Sequence, residues 1–168
     1  MTLKKKTVAF FVIGILGTVF HFLYDITNGN FIAGLFFPVN ESVFEHLKLL
    51  FYPTVIFSLF EYFTAEEKSK NYWPAVVQSY LWGIGVILVL FYTLSGITGS
   101  DLGFINILIY WFAVLVMIRK KETYLYENEY SNSTVVISLL FIVLSALAFA
   151  YFTVYPLNLG IFIPPTNQ

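Results

Sequence analysis

Two short stretches hold most of the side chains in this sequence that could do chemistry in apolar surroundings. They are FHFLYD at Phe20–Asp25 and PVNESVFEHLKL at Pro38–Leu49. Between them they carry both histidines of the chain, His21 and His46, with Asp25, Glu41, Glu45 and Lys48. Three chemistries suit these residue types. Imidazole and carboxylate together ligate a divalent metal such as Zn²⁺ or Mn²⁺, with His21, Asp25, Glu41, Glu45 and His46 as the candidate ligands. Such a metal would activate water against a lipid or peptide substrate, or be the cargo itself. The same groups serve as proton or solute sites in small transporters, because histidine titrates near neutral pH. Finally, Ser42 stands four residues before His46, a spacing that lets a hydroxyl meet a base, so Ser42, Glu45 and His46 are the candidate catalytic residues of a membrane hydrolase. Neither HExxH nor a repeated ExxH pair is present, and no oxyanion hole is legible.

Five apolar stretches must position these groups. A membrane-crossing helix needs ~20 mostly apolar residues, and the candidates are Val8–Ile26, Val43–Phe63, Pro74–Leu94, Leu102–Ile118 and Thr134–Tyr155. The first follows Lys4–Lys6 but runs into VFHFLYDITN without a small-x-small cleavage site, so it reads as an uncleaved helix. The expected fold is all-α: one domain over residues 1–168, an integral membrane bundle of five helices. Lys4–Lys6, Lys68 with Lys70, and Arg119–Lys121 all fall on one side of such a bundle. The positive-inside rule makes that side cytoplasmic, with the N-terminus inside and the C-terminus outside. The expected location is the bacterial cytoplasmic membrane.

This topology sets the depth of the motifs. His21 sits one turn before Asp25 at the outer end of the first span. PVN before ESVFEH reads as a helix start, with Asn40 as N-cap and Glu41 in the first turn. At 1.5 Å per residue, His21 then lies level with Glu45 and His46, and Asp25 with Glu41. Ionisable groups at that depth cost too much to face lipid. They are expected to meet in one site, with Tyr24, Asn40 and Lys48 around it and Lys48 neutralising Glu41 or Glu45. The bland alternative is a purely structural network tying helices together in a membrane-complex subunit. The apolar connection 27–39 reads as a re-entrant lid, and Pro53 as a kink in the second span. Glu61, Glu66 and Glu67 are expected in solvent, Asp101 as a cap of the fourth span, and Asn106 as an interhelical hydrogen-bonding group.

Composition narrows the classes. The chain has 168 residues, 58% hydrophobic and 11% charged, and its mean hydropathy is +0.78. Soluble domains carry ~25% charged residues, so lipid is the natural solvent. A net charge of −1 gives no argument for nucleic acid, and the absence of cysteine excludes disulfides and thiolate sites. A small solute or lipid substrate fits the class. Homo-oligomerisation has no GxxxG support, since GILG at Gly14–Gly17 is wrongly spaced.

The segments HFLYDITNGN and GLFFPVNESVFEHLKLLFYP resemble a family of uncharacterised bacterial multi-pass membrane proteins (DUF6512). Its pattern pairs HFxY with PVNESxWEHLKL. The matching positions are His21, Phe22, Tyr24, Pro38–Ser42 and Glu45–Leu49, with Phe44 where the family often has Trp. The resemblance implies that these residues belong together; it implies no activity.

Overall fold

A computed structural model describes residues 3–99 and 103–165 of the chain. Among these residues there is no strand. The helices are α1 (Leu3–Ile26), α2 (Phe31–Phe36), α3 (Val43–Thr64), α4 (Tyr72–Thr98), α5 (Gly103–Glu127) and α6 (Asn132–Val154), followed by a 3₁₀ turn at Gly160–Phe162. All but α2 are long and apolar enough to cross a membrane. Asp101, the expected cap of α5, lies outside the described residues.

Local chemistry explains most boundaries. The Ser42 hydroxyl accepts from Glu45 N at 3.4 Å and Ser131 from Thr134 N at 3.2 Å, so each serves as an N-cap. Asn40, expected to cap α3, acts two residues earlier, where its side-chain oxygen accepts from Ser42 N at 2.9 Å. Gly99 ends α4 in the left-handed region at φ 68°, as helix C-caps commonly do. The expectation for α5 needs correction: it runs on to Glu127, so Arg119, Lys120 and Lys121 lie on the helix and not in a loop. Lysine, arginine and glutamate are good helix formers, and their long stems remain compatible with apolar neighbours.

The bundle is built around α3. In its most apolar stretch 61% of residues are buried, against 11–28% for the other four spans. Leu50 and Phe51 of α3 join Ile13, Tyr80, Val114, Met117 and Phe149 in one core. The outward faces carry exposed Phe11, Ile15, Val89, Phe112 and Leu144, a surface suited to lipid. Lys6 pairs with Glu122 at one end, while Thr153 bonds Glu45 at 2.9 Å at the other. The start of α1 and the end of α6 therefore sit at opposite ends of the bundle.

Gly14 and Gly17 do have a use, within the chain. A Cβ on Gly14 would overlap the Trp111 ring, and one on Gly17 the Tyr110 hydroxyl, so the two glycines let α1 lie close on α5. Tyr110 also serves Pro53. Proline at that position cannot donate to Leu49 O, four residues back. The Tyr110 hydroxyl reaches that carbonyl at 3.3 Å and Ile13 O at 2.8 Å, joining α5 to both α3 and α1. Tyr110→Phe is therefore expected to lower stability by about 1 kcal/mol. Thermal unfolding in detergent measures it; no shift would mean the two carbonyls are satisfied without the phenol.

Candidate functional site

The polar residues of α1, α3 and their connection sort into two clusters. The first is His21, Glu41 and His46. The imidazoles meet Nε2 to Nε2 at 3.1 Å, and Glu41 Oε2 lies 3.3 Å from His46 Nε2 and 3.8 Å from His21 Nε2. One ligand atom from each of the three lies within 4.8 Å of the others. Both histidine side chains are about one-third exposed (34% and 28%) and Glu41 is 64% exposed, so the cluster opens outward.

A backbone contact fixes the chemistry of His46. Its Nδ1 lies 3.0 Å from Ser42 O. A carbonyl only accepts, so Nδ1 carries a proton; Nε2 then donates to the Glu41 carboxylate when the ring is charged and presents a lone pair to a metal when it is neutral. A metal-ligating histidine usually donates its other ring N–H to a carbonyl or carboxylate in this way. Glu41 precedes α3, near its positive N-terminal end. Its carboxyl is held below the usual carboxylate range by its hydrogen bond to His46, opposed by burial and helped by the charges of both imidazoles. It is therefore ionised at neutral pH.

The second cluster is Glu45 and Lys48, and here the expectation of one five-ligand pool is corrected. Glu45 is buried, and its oxygens are already engaged. Oε2 accepts from Lys48 Nζ at 2.6 Å and from Val39 N at 3.0 Å, while Oε1 accepts from Thr153 at 2.9 Å. Residues one apart on a helix are rotated ~100° from each other, so His46 and Glu45 serve different partners. Asp25 is exposed on the next turn of α1, outside the group of three. Lys48, with no exposure, also donates to Gly34 O at 2.8 Å and Phe37 O at 3.3 Å. Tyr52 donates to Leu35 O at 3.0 Å. The carbonyls at the end of α2 are thus satisfied from α3, with a cation at the negative end of that short helix. The connection 27–39 carries the short helix α2, pinned by Lys48. Tyr24 of α1 packs its ring on Gly34 of α2 and near Gly29.

Ser42 does not form the nucleophile–base pair. It is buried, its hydroxyl caps α3, and His46 addresses its carbonyl and not its hydroxyl.

Comparison with protein families supplies the wider context. The model of a family of unknown function (DUF6512) matches residues 2–167. The chain belongs to this family. No curated protein and no solved structure matches the chain. Membership in DUF6512 therefore spans nearly the whole chain, beyond the two segments that carry the resemblance, and leaves the chemistry to be argued from the side chains.

Sequence reasoning missed the other wall of the site. Glu41 and His46 line a cavity of about 70 Å³ together with Leu49, Phe91, Asn106 and Tyr110, which brings α4 and α5 to the cluster. Asn106 was legible only as a polar residue in an apolar span. Glu61, expected in solvent, is 20% exposed and belongs to a third polar group at the opposite end. Its Oε2 accepts from Lys121 Nζ at 2.5 Å and Tyr72 OH at 2.7 Å. Glu66 and Glu67 are exposed, as expected.

Proposed function

We propose that this protein is a multi-pass membrane protein that binds one divalent transition metal through His21, Glu41 and His46. The observation that carries the reading is the His46 ring. Its Nδ1–H is held by Ser42 O while its Nε2 faces a second imidazole and a carboxylate. Two neutral nitrogens and one carboxylate oxygen suit Zn²⁺, with Mn²⁺ or Fe²⁺ as competitors for the same donors. Three protein ligands leave a coordination position open, the feature that separates reactive zinc sites from purely structural ones. The cavity beside Glu41 and His46 is large enough for water or the polar end of a small substrate. A metal there would polarise a carbonyl or phosphoryl oxygen, or lower the pKa of bound water. Retention favours a metal-dependent membrane enzyme over a metal carrier, because Leu50, Val114 and Met117 fill the core at mid-bundle.

The eight Lys and Arg residues other than Lys48 gather toward one end, at 4–6, 68, 70 and 119–121. The positive-inside rule then makes that end cytoplasmic and turns the histidine cluster to the outer face of the cell membrane. Glu45 and Lys48 favour the structural reading for their own pair, because each is saturated by contacts that pin α2.

Elemental analysis of the purified protein tests the proposal, with one metal per chain expected. Affinity is also expected to fall as pH drops, since imidazole must be neutral to ligate. Two imidazoles in the ligand set should make that fall steep as the pH is taken from about 7 to about 5. Glu41 remains ionised over that window because its pKa is lowered. Its own contribution to the folded state is present above the ordinary glutamate value and is lost only as pH falls through the depressed one. Metal titrations at several pH values read this directly; a pH-independent affinity would remove the histidines from the ligand set.

A further inference from the structure

At the lysine-rich end a second, larger cavity opens between α1, α3 and the start of α4. Its volume is about 900 Å³, within the range of pockets that hold sizeable organic ligands. Lys4 and Lys5 of α1 and Lys68 of the α3–α4 connection stand around it, while Val8, Phe57 and Phe60 supply an apolar wall. The carboxylates in its lining are Glu61 and Glu67. Glu61 is already paired with Lys121 behind the wall, so the three lining lysines are offset by Glu67 alone and the cavity is net positive. Lys68 is held over the Tyr62 and Phe63 rings, 5.4 and 5.6 Å from their centroids, which places its ammonium at the junction of aromatic and charged surface.

We propose that this cavity binds an anionic phospholipid, its phosphate among Lys4, Lys5 and Lys68 and the start of an acyl chain along Val8, Phe57 and Phe60. Charge complementarity names the headgroup, since basic pockets between spanning helices attract anionic lipid. The apolar wall and the level of the cavity, at the ends of helices long enough to span, call for a ligand that is part membrane. The inference rests on the bundle crossing a bilayer and not on the metal site at the opposite end.

The test uses full-length protein in detergent with added phosphatidylglycerol, phosphatidylcholine or inorganic phosphate, read by native mass spectrometry and by thermal unfolding. Phosphatidylglycerol is expected to be retained at about one per chain and to raise the melting temperature by several degrees. The effect should weaken at high salt. Phosphatidylcholine and inorganic phosphate are expected to do neither. Lys4→Gln/Lys5→Gln/Lys68→Gln should abolish the difference between the two lipids while metal content stays at the wild-type level. Equal retention of both lipids by the wild type would overturn the proposal, as would unchanged phosphatidylglycerol binding in the triple variant or a shift reproduced by phosphate alone. Should the triple variant not fold, the comparison of headgroups and salt on the wild type still decides.

Discussion

Lys48→Met is expected to destabilise the protein by about 3–5 kcal/mol, the usual cost of removing one partner of a buried ion pair. The methionine fills most of the lysine volume, so the loss does not come from a cavity. It comes from Glu45, which is 3% exposed and would be left as a buried carboxylate with only Val39 N and Thr153 as donors. Gly34 O and Phe37 O lose their donor as well, which frees the end of α2. Chemical or thermal unfolding in detergent measures the effect. Lys48→Met/Glu45→Gln removes both charges and is expected to recover a large part of the loss. A single variant within about 1 kcal/mol of wild type would show that the pair contributes little beyond its own desolvation.

The second large effect concerns the metal. His46→Ala is expected to lower affinity at least ~100-fold, beyond the 10–100-fold typical of changes in groups that merely support ligands. It removes Nε2 and the ring that the Ser42 carbonyl orients. His21→Ala should act alike, and Glu41→Gln more weakly because the amide oxygen is a poorer donor than a carboxylate. Glu45→Gln provides the contrast, since Glu45 lies in the other cluster. It should change stability and leave metal content as in wild type. Isothermal titration and metal analysis on folded protein separate the two behaviours. Equal metal content in wild type and His46→Ala would leave the cluster as a helix-joining network.

Much of this arrangement was legible from the residues. Matching the depth of His21 on an outgoing helix with His46 on a returning one brought the imidazoles together, because helical rise is fixed and the connection is short. Which face each residue takes was not legible. Glu45 differs from His46 by one residue, and only the position of α2 decides that it turns to Lys48 and Val39. That position depends on α2 forming a short helix whose carbonyls recruit Lys48 and Tyr52, a long-range matter that periodicity does not report. The basic run Arg119–Lys121 misled for another reason. A polar run after an apolar one marks the edge of the lipid-compatible stretch, not the end of the hydrogen-bonded helix, so a span bounded at Ile118 misses that α5 continues and that Lys121 lies 9% exposed against Glu61. Asn106 and Thr153 gave too little signal, since a single polar residue in an apolar span has many possible partners.

The two buried ion pairs differ in how far apart their members lie along the chain. Glu45 and Lys48 are neighbours on α3, so that helix brings its own counter-charge as it leaves the ribosome. Glu61 must wait for Lys121, sixty residues later. Until α5 has emerged, Glu61 has only the lysines of α1 and of the α3–α4 connection near it, Lys5 among them. The direct contact between Glu61 and Lys121 is thus one that only a chain complete through α5 can make.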